Sequence, residues 1–273
     1  MSGPLLTERV HQALRAALAA GAGRVAVSLD LGRSLADVEV DVDGWSVAGG
    51  RYPWLEDCRE RSVYCWNGAG FEPVARFSSS LIKLVATEWG PPTFEIDGIK
   101  MLPTAQGSPW EDARVKVRLV RPSGKRVLDC CGGLGYFAAW CLAEGASQVR
   151  SFERNPDVLW LRSINPWSPT ADPRLQFELG DVAERIRAIP DAQFDAALHD
   201  PPRFAIAGDL YSLDFYRDLA RVLKPGGWLF HYTGAPNRVS RGRDVPAEVV
   251  RRLGRAGFRA KPTLDGVLAE RHR

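Results

Sequence analysis

Four carboxylates stand at the ends of short apolar runs in the second half of this 273-residue chain: Asp129, Glu153, Asp181 and Asp200. Asp129 opens the stretch Asp129-Cys-Cys-Gly-Gly-Leu-Gly135, in which Gly133 and Gly135 let backbone pass close to a ligand. Glu153 follows Gly135 by eighteen residues, where a carboxylate can accept two hydrogen bonds from a ribose diol, or simply end a strand at the surface. Asp181, after Gly180, fits the place beside an adenine amino group and equally fits a helix N-cap. A phosphate-binding loop needs a Gly-Lys-Ser/Thr ending. None follows Gly135, so phosphate transfer is disfavoured.

His199-Asp-Pro-Pro-Arg-Phe204 is the most informative segment. Two prolines directly after an acid can neither continue a sheet ladder nor sit inside a helix, so they fix a loop beside the expected ligand. An Asp200 oxygen and a fixed carbonyl at Pro201-Pro202 can both accept protons from an amino group and so aim its lone pair. That suits an in-line displacement, whose demand is mostly positioning. Phe204 could stack on a planar acceptor. His199 could be a general base or a satisfied core histidine. Arg203, Tyr211, His231 and Tyr232 fall near the same sheet edge and could line an acceptor pocket or only pack its rim.

Positioning these residues takes alternating strands and helices. Period and length predict strands at 126–131, 148–153, 175–180, 194–199 and 227–232, and helices near 134–144, 156–163, 182–188, 212–223 and 246–256. This alternation argues for a parallel sheet. Two last strands, near 258–264 and 267–271, turn at Asp265-Gly266 as an antiparallel hairpin. The expectation is an α/β fold with a mostly parallel seven-stranded sheet at 106–273. Residues 1–105 read differently: an amphipathic helix over 5–20, then strands joined at Asp43-Gly44, Asn67-Gly68 and Asp97-Gly98. They form a mostly β module that could cap the acceptor site or make a homodimer. Residues 78–89 fit a helix or a strand.

Apolar residues make up 45% of the chain, enough for a sizeable core, and the net charge of +3 does not by itself imply nucleic acid. From Arg238 onward ten Lys/Arg face four Asp/Glu, a solvated helix face or a basic surface. The five cysteines show no zinc spacing, so no metal is expected, and adjacent Cys130 and Cys131 suit a reducing compartment. Without a long apolar run the expectation is a cytoplasmic protein away from membranes.

Val127–Gly135, Glu153, Gly180-Asp181, Asp200-Pro-Pro-Arg203 and Leu223-Lys-Pro-Gly-Gly-Trp-Leu-Phe230 resemble, in order, the motifs of Rossmann-like S-adenosylmethionine-dependent methyltransferases. Asn165-Pro-Trp-Ser168, His199–Phe204, Asp209-Leu-Tyr-Ser212, Phe215-Tyr216, His231-Tyr-Thr-Gly234 and Arg241–Pro246 are similar to a family of predicted methyltransferases described mainly from archaea. The N-terminal runs Ser28–Gly32 and Pro92–Ile96 share that similarity. The resemblance implies S-adenosyl-L-methionine as cofactor, held by Asp129, Gly133, Gly135, Glu153 and Asp181. It implies an acceptor site at Asp200, Pro201, Pro202 and Arg203. Cys131 departs from the pattern, standing where the superfamily often has the loop's first glycine.

Asp-Pro-Pro-Arg also occurs in enzymes that methylate pyrimidine carbons of RNA, but those need a cysteine just after the motif, and no cysteine follows Cys141. Transfer to nitrogen fits better, with a small-molecule or peptide amine favoured over RNA. Three other readings stay open: methylation of an RNA base nitrogen, aminopropyl transfer of the spermidine-synthase type, and a non-catalytic cofactor-binding scaffold. The aminopropyltransferases usually have an acid where Leu134 stands.

Overall fold

The Asp-Gly and Asn-Gly turns and the apolar alternation between them shape the first part of the chain. In the computed structural model, which describes residues 3–203, 207–234 and 244–273, the chain divides into two compact units. One is Met1–Glu111 with Trp160–Trp167, and the other is Asp112–Leu159 with Ser168–Arg273.

The first unit contains β1 (Leu5–Thr7), α1 (Glu8–Ala19), β2 (Arg24–Val27), β3 (Ala36–Asp41), β4 (Gly44–Val47), β5 (Gly50–Pro53) and β6 (Val63–Trp66). It continues through β7 (Phe71–Pro73), β8 (Ala75–Phe77), β9 (Leu81–Val85), β10 (Thr93–Ile96) and β11 (Ile99–Lys100). These strands form three antiparallel sheets, ordered β2-β3-β4-β5, β1-β6-β7 and β11-β10-β9-β8. Trp45 is fully buried at their core and stacks on Tyr52 at 4.6 Å between ring centroids.

Three details differ from the sequence expectation. The helix begins at Glu8 rather than Leu5. Thr7 is extended and caps the helix through its hydroxyl, which accepts from Val10 N–H, so Leu5–Thr7 is free to pair with β6. The strand that follows the Asn67-Gly68 turn breaks at buried Val74, whose N–H donates to Val63 while its carbonyl accepts from Leu84. One residue thus moves the chain from one sheet to another. Within 78–89, strand β9 wins over a helix.

Helix α2 (Pro109–Leu119) leads into the second unit. There β12 (Arg126–Asp129), α3 (Tyr136–Ala143), β13 (Gln148–Glu153), α4 (Pro156–Ile164), β14 (Leu175–Leu179), α5 (Val182–Arg185) and β15 (Phe194–His199) alternate. They are followed by α6 (Leu213–Val222), β16 (Leu223–Tyr232), α7 (Val245–Arg255), β17 (Phe258–Thr263) and β18 (Gly266–Arg271). The sheet order is β14-β13-β12-β15-β16-β18-β17, with only the last two strands antiparallel to their neighbours. This is the expected seven-stranded, mostly parallel sheet with a terminal hairpin. The order reverses between β12 and β15, and in open α/β sheets ligands bind at such a switch point, outside the carboxyl ends of the strands.

Strand β16 starts four residues earlier than expected. The Lys-Pro-Gly-Gly stretch joins it through a register shift opposite Phe194–Ala196, which absorbs the proline. The core packs Leu128, Phe152, Leu219, Leu229, Val249 and Val267 between sheet and helices. Among the described residues no helix is long and apolar enough to cross a membrane.

Candidate active site

Parallel pairing sets the carboxyl ends of the central strands side by side. Asp129 pairs with Ser151 and Leu198, Glu153 with Leu179, and His199 with His231. Asp129, Glu153, Asp181, Asp200 and Tyr232 therefore come to one edge of one sheet, although 103 residues separate the first from the last (232 − 129).

The loop after β12 is a left-handed turn. Gly133 has φ 48° and Gly135 φ 85°, conformations that side chains resist. Gly135 N–H donates to Gly132 O at 2.7 Å, and Gly135 O receives Ala139 N–H as α3 begins. Glu153 fastens this loop from the neighbouring strand: its Oε2 accepts Gly133 N–H and its Oε1 accepts Asn155 N–H, both at 2.9 Å. Its carboxylate is half-buried and has about four acceptor positions. Asp181 caps α5 by accepting Ala183 N–H and pairs with exposed Arg154 at 3.4 Å. Asp129 has no exposed surface and accepts Ser151 Oγ–H at 2.7 Å, which ties β12 to β13 under the glycine turn.

Asp200 differs from these. It is half-buried, and among the described residues no protein group donates a hydrogen bond to its carboxylate. Desolvation pushes its pKa up to about 7 against the pull of Lys116, with Asp112, Asp265 and Asp129 adding to the rise. Pro201 is buried, and Tyr211 Oη–H donates to Pro202 O at 3.1 Å, which fixes the turn. Tyr232 is half-buried at the end of β16. Burial and nearby Asp200 push its hydroxyl up to about 12. Arg203 is exposed. Phe204 and the Arg241–Arg243 segment lie outside the described residues.

The histidines sit deeper than a pocket wall. His199 is fully buried, its Nε2–H donates to Leu210 O at 3.0 Å, and burial lowers its pKa to about 4. It is neutral and offers no exposed atom to an acceptor, so its place is in the core rather than as a general base. His231 is also fully buried. Its Nδ1–H donates to Tyr232 O and its Nε2 accepts Tyr216 Oη–H at 2.7 Å. The two rings stand 4.5 Å apart, edge to face. Trp167 belongs to the first unit, where its Nε1–H donates to Leu31 O at 2.9 Å.

Sequence reasoning passed over Lys116. It is 1% exposed, its Nζ lies 2.6 Å from Asp112 and 2.9 Å from Asp265, and it sits 4.4 Å from the centre of the Tyr232 ring. A lysine on an apolar face of α2 is a signal, because lysine is almost never fully buried without partners. Asp112 is one turn away on the same helix, but Asp265 and Tyr232 are distant in sequence, so the pattern alone does not reveal the full set. The thiols are the reverse case. Burial holds Cys131 well above the ordinary range, and it pushes Cys58 up to about 11. Neither is a thiolate nucleophile at neutral pH.

A family profile described as S-adenosyl-L-methionine-dependent methyltransferase matches residues 161–242, the part that contains Asp181, Asp200 and Tyr232. An uncharacterised protein of Methanocaldococcus jannaschii is 46% identical over 178 residues, 64% of this chain and 61% of that protein. A polyamine aminopropyltransferase of Mycobacterium tuberculosis is 34% identical over 127 residues, 43% of this chain and 24% of that protein. The chain therefore spans about three-fifths of the first relative and about a quarter of the second. Among solved structures, spermidine synthase from Thermotoga maritima superposes with a TM-score of 0.55 at 19% identity, over 72% of this chain and 71% of that one. That likeness concerns the fold. Together with the sheet order, the profile match supports a methyltransferase-like fold with S-adenosylmethionine as its cofactor. The glycine turn and the Glu153 carboxylate that fastens it fit that cofactor.

Proposed function

We propose that this chain is an S-adenosylmethionine-dependent methyltransferase that methylates a nitrogen of a small-molecule or peptide amine, in line and without a covalent enzyme intermediate. Asp200 supports this reading most directly. It follows the strand beside the switch point, among the described residues no protein group donates a hydrogen bond to its carboxylate, and its pKa of about 7 suits a base at neutral pH.

Glu153 would hold the ribose hydroxyls, Gly133 and Gly135 would let the methionine part approach the backbone, and Asp181 would face the adenine. When bound, the cofactor supplies an electrophilic methyl group whose bonding pair returns to sulfur. Asp200 and the Pro202 carbonyl accept the amine's N–H bonds and point its lone pair at that methyl. The carbonyl can do so while bonded to Tyr211, because it has two lone pairs. Asp200 then takes the proton that the nitrogen loses. With His199 neutral in the core, the base role falls to Asp200.

Among the described residues, the placement of positive charge favours a small acceptor over RNA. Arg259, Arg271, His272 and Arg273, with Glu270, line a cavity of about 350 Å³. Its β17–β18 pairs lie at the far end of the strands from the Tyr232–Gly266 pair. Among the described residues, the acceptor edge carries Asp129, Glu153, Asp181 and Asp200. A homodimer through the first unit and a cytoplasmic location complete the proposal.

Aminopropyl transfer is the second reading, favoured by the match to the polyamine aminopropyltransferase. Against it stands Leu134, 1% exposed, at the position where those enzymes usually carry an acid. The test is transfer of isotope-labelled methyl from S-adenosylmethionine to a panel of small amines, peptide amines and RNA. Label on an amine, lost in Asp200→Ala while cofactor binding persists, is expected. Label on RNA alone, or turnover undiminished in Asp200→Ala, overturns the proposal.

A further inference from the structure

Lys116 is a buried charge, 1% exposed, that the proposed chemistry leaves unused. Its ammonium joins three separate elements: Asp112 one turn earlier on α2 at 2.6 Å, Asp265 in the β17–β18 turn at 2.9 Å, and the ring of Tyr232 on β16 at 4.4 Å. Burial opposes its charge, but Asp200, Asp112 and Asp265 outweigh that and keep it protonated. A buried ion pair is an expensive way to gain stability, since apolar residues of similar volume often serve as well. Lys116 lies against Tyr232, whose preceding residue His231 pairs with His199, the residue before Asp200, and that placement at the acceptor edge points to another use.

Given the methyl-transfer reading, on which this inference rests, we propose that Lys116 is a positioning residue for the reaction. It holds Asp112 and Asp265 away from Asp200, braces Tyr232 against the acceptor edge, and keeps Asp200 able to ionise at neutral pH. Among the described residues, Lys116 is the cation that acts on Asp200. The other groups that face it are Asp112 on α2, Asp265 in the hairpin turn, Asp129 at the end of β12, Cys131 in the glycine loop, Tyr211 before α6, and Tyr232. Without the lysine, three clustered carboxylates would compete for protons, and Asp200 would hold its own more tightly. The proposal makes opposite predictions for opposite changes. Lys116→Met removes the cation, whereas Asp265→Asn removes a competing anion and leaves Lys116 less occupied.

The test is carbon-13 NMR titration of the Asp200 carboxyl in the full chain, assigned by its loss in Asp200→Asn, with the pH profile of kcat/KM in parallel. In Lys116→Met the Asp200 midpoint should rise by roughly 1–3 pH units, the range for loss of a close opposite charge, while Lys116→Arg keeps it near the parent value. In Asp265→Asn it should fall. The Asp265→Asn arm stands if Lys116→Met fails to fold. An unchanged midpoint in a folded Lys116→Met, or a rise in Asp265→Asn, overturns the proposal. The NMR midpoint needs no acceptor, so a shift there without methyl transfer would refute the functional reading and leave the electrostatic role of Lys116 intact.

Discussion

Replacing Asp200 with Asn tests whether the acceptor-side acid is desolvated, with no assumption about substrate. The folded chain holds Asp200 at about 7, against 3.8 for an unperturbed aspartate, because burial disfavours its charge more than Lys116 favours it. The difference, 7 − 3.8, is about 3.2 units, and at 1.36 kcal/mol per unit it amounts to about 4 kcal/mol as an upper figure for a half-buried group. The sign follows from proton counting. Between pH 3.8 and about 7 the unfolded chain has released this proton and the folded chain has kept it, so the residue's contribution to stability falls as pH rises through that window. Above about 7 both states are ionised and the full penalty is present. Asn keeps the shape of the neutral acid and cannot ionise. Urea denaturation of Asp200→Asn and parent should therefore give similar stabilities at pH 4 and a variant more stable by up to about 4 kcal/mol at pH 9. A variant that is no more stable than the parent at pH 9 would show that Asp200 is not desolvated, and the case for it as a neutral-pH base would fall.

Three further substitutions probe the surrounding architecture. Glu153→Gln keeps the size but removes the charge that receives Gly133 N–H and Asn155 N–H. Charge-assisted bonds contribute about 1.5–3 kcal/mol, so S-adenosylmethionine affinity by calorimetry should drop roughly 10–150-fold, and unchanged affinity would remove Glu153 from the cofactor site. Tyr211→Phe releases the Pro202 carbonyl and should lower kcat with little change in cofactor affinity. An equal loss of both would mean that the tyrosine holds the whole edge rather than the acceptor turn. Tyr216→Phe strips the donor from buried His231 Nε2. It should cost about 1–3 kcal/mol of stability by denaturant titration, and a neutral effect would mean that the histidine adopts its other tautomer.

The second unit was legible because its signals are local. Apolar runs that end in an acid or a glycine turn gave β13 and β15 to the residue, and the Asp265-Gly266 pair marked the closing hairpin. Glu153 and Asp200 could be picked out because strand ends in a parallel sheet share one edge, which period and order alone imply. What stayed hidden depends on contacts distant in sequence. Nothing around Leu5 announces that Val63–Cys65 will claim it as a strand partner, and its apolar spacing also fits a helix. Val74 looks like any strand residue until two different sheets bond to its two sides. His199 and His231 alternate correctly for a pocket wall, but their depth is set by Tyr216 and Leu210 from the next layer. Lys116 is only partly legible, since Asp112 is local on α2 but its second anion comes from a turn 149 residues later (265 − 116).

Calorimetric titration with S-adenosylmethionine, S-adenosylhomocysteine and decarboxylated S-adenosylmethionine puts the cofactor and the transferred group to the test together. Leu134 offers no acid to repel the cofactor's carboxylate or to attract an aminopropyl ammonium. Methyl transfer therefore predicts that S-adenosylmethionine and S-adenosylhomocysteine compete for one site and both bind more tightly than the decarboxylated form. Preference for the decarboxylated cofactor would point to aminopropyl transfer, and no binding of any of the three would contradict the reading of the Asp129–Gly135 loop as a cofactor site.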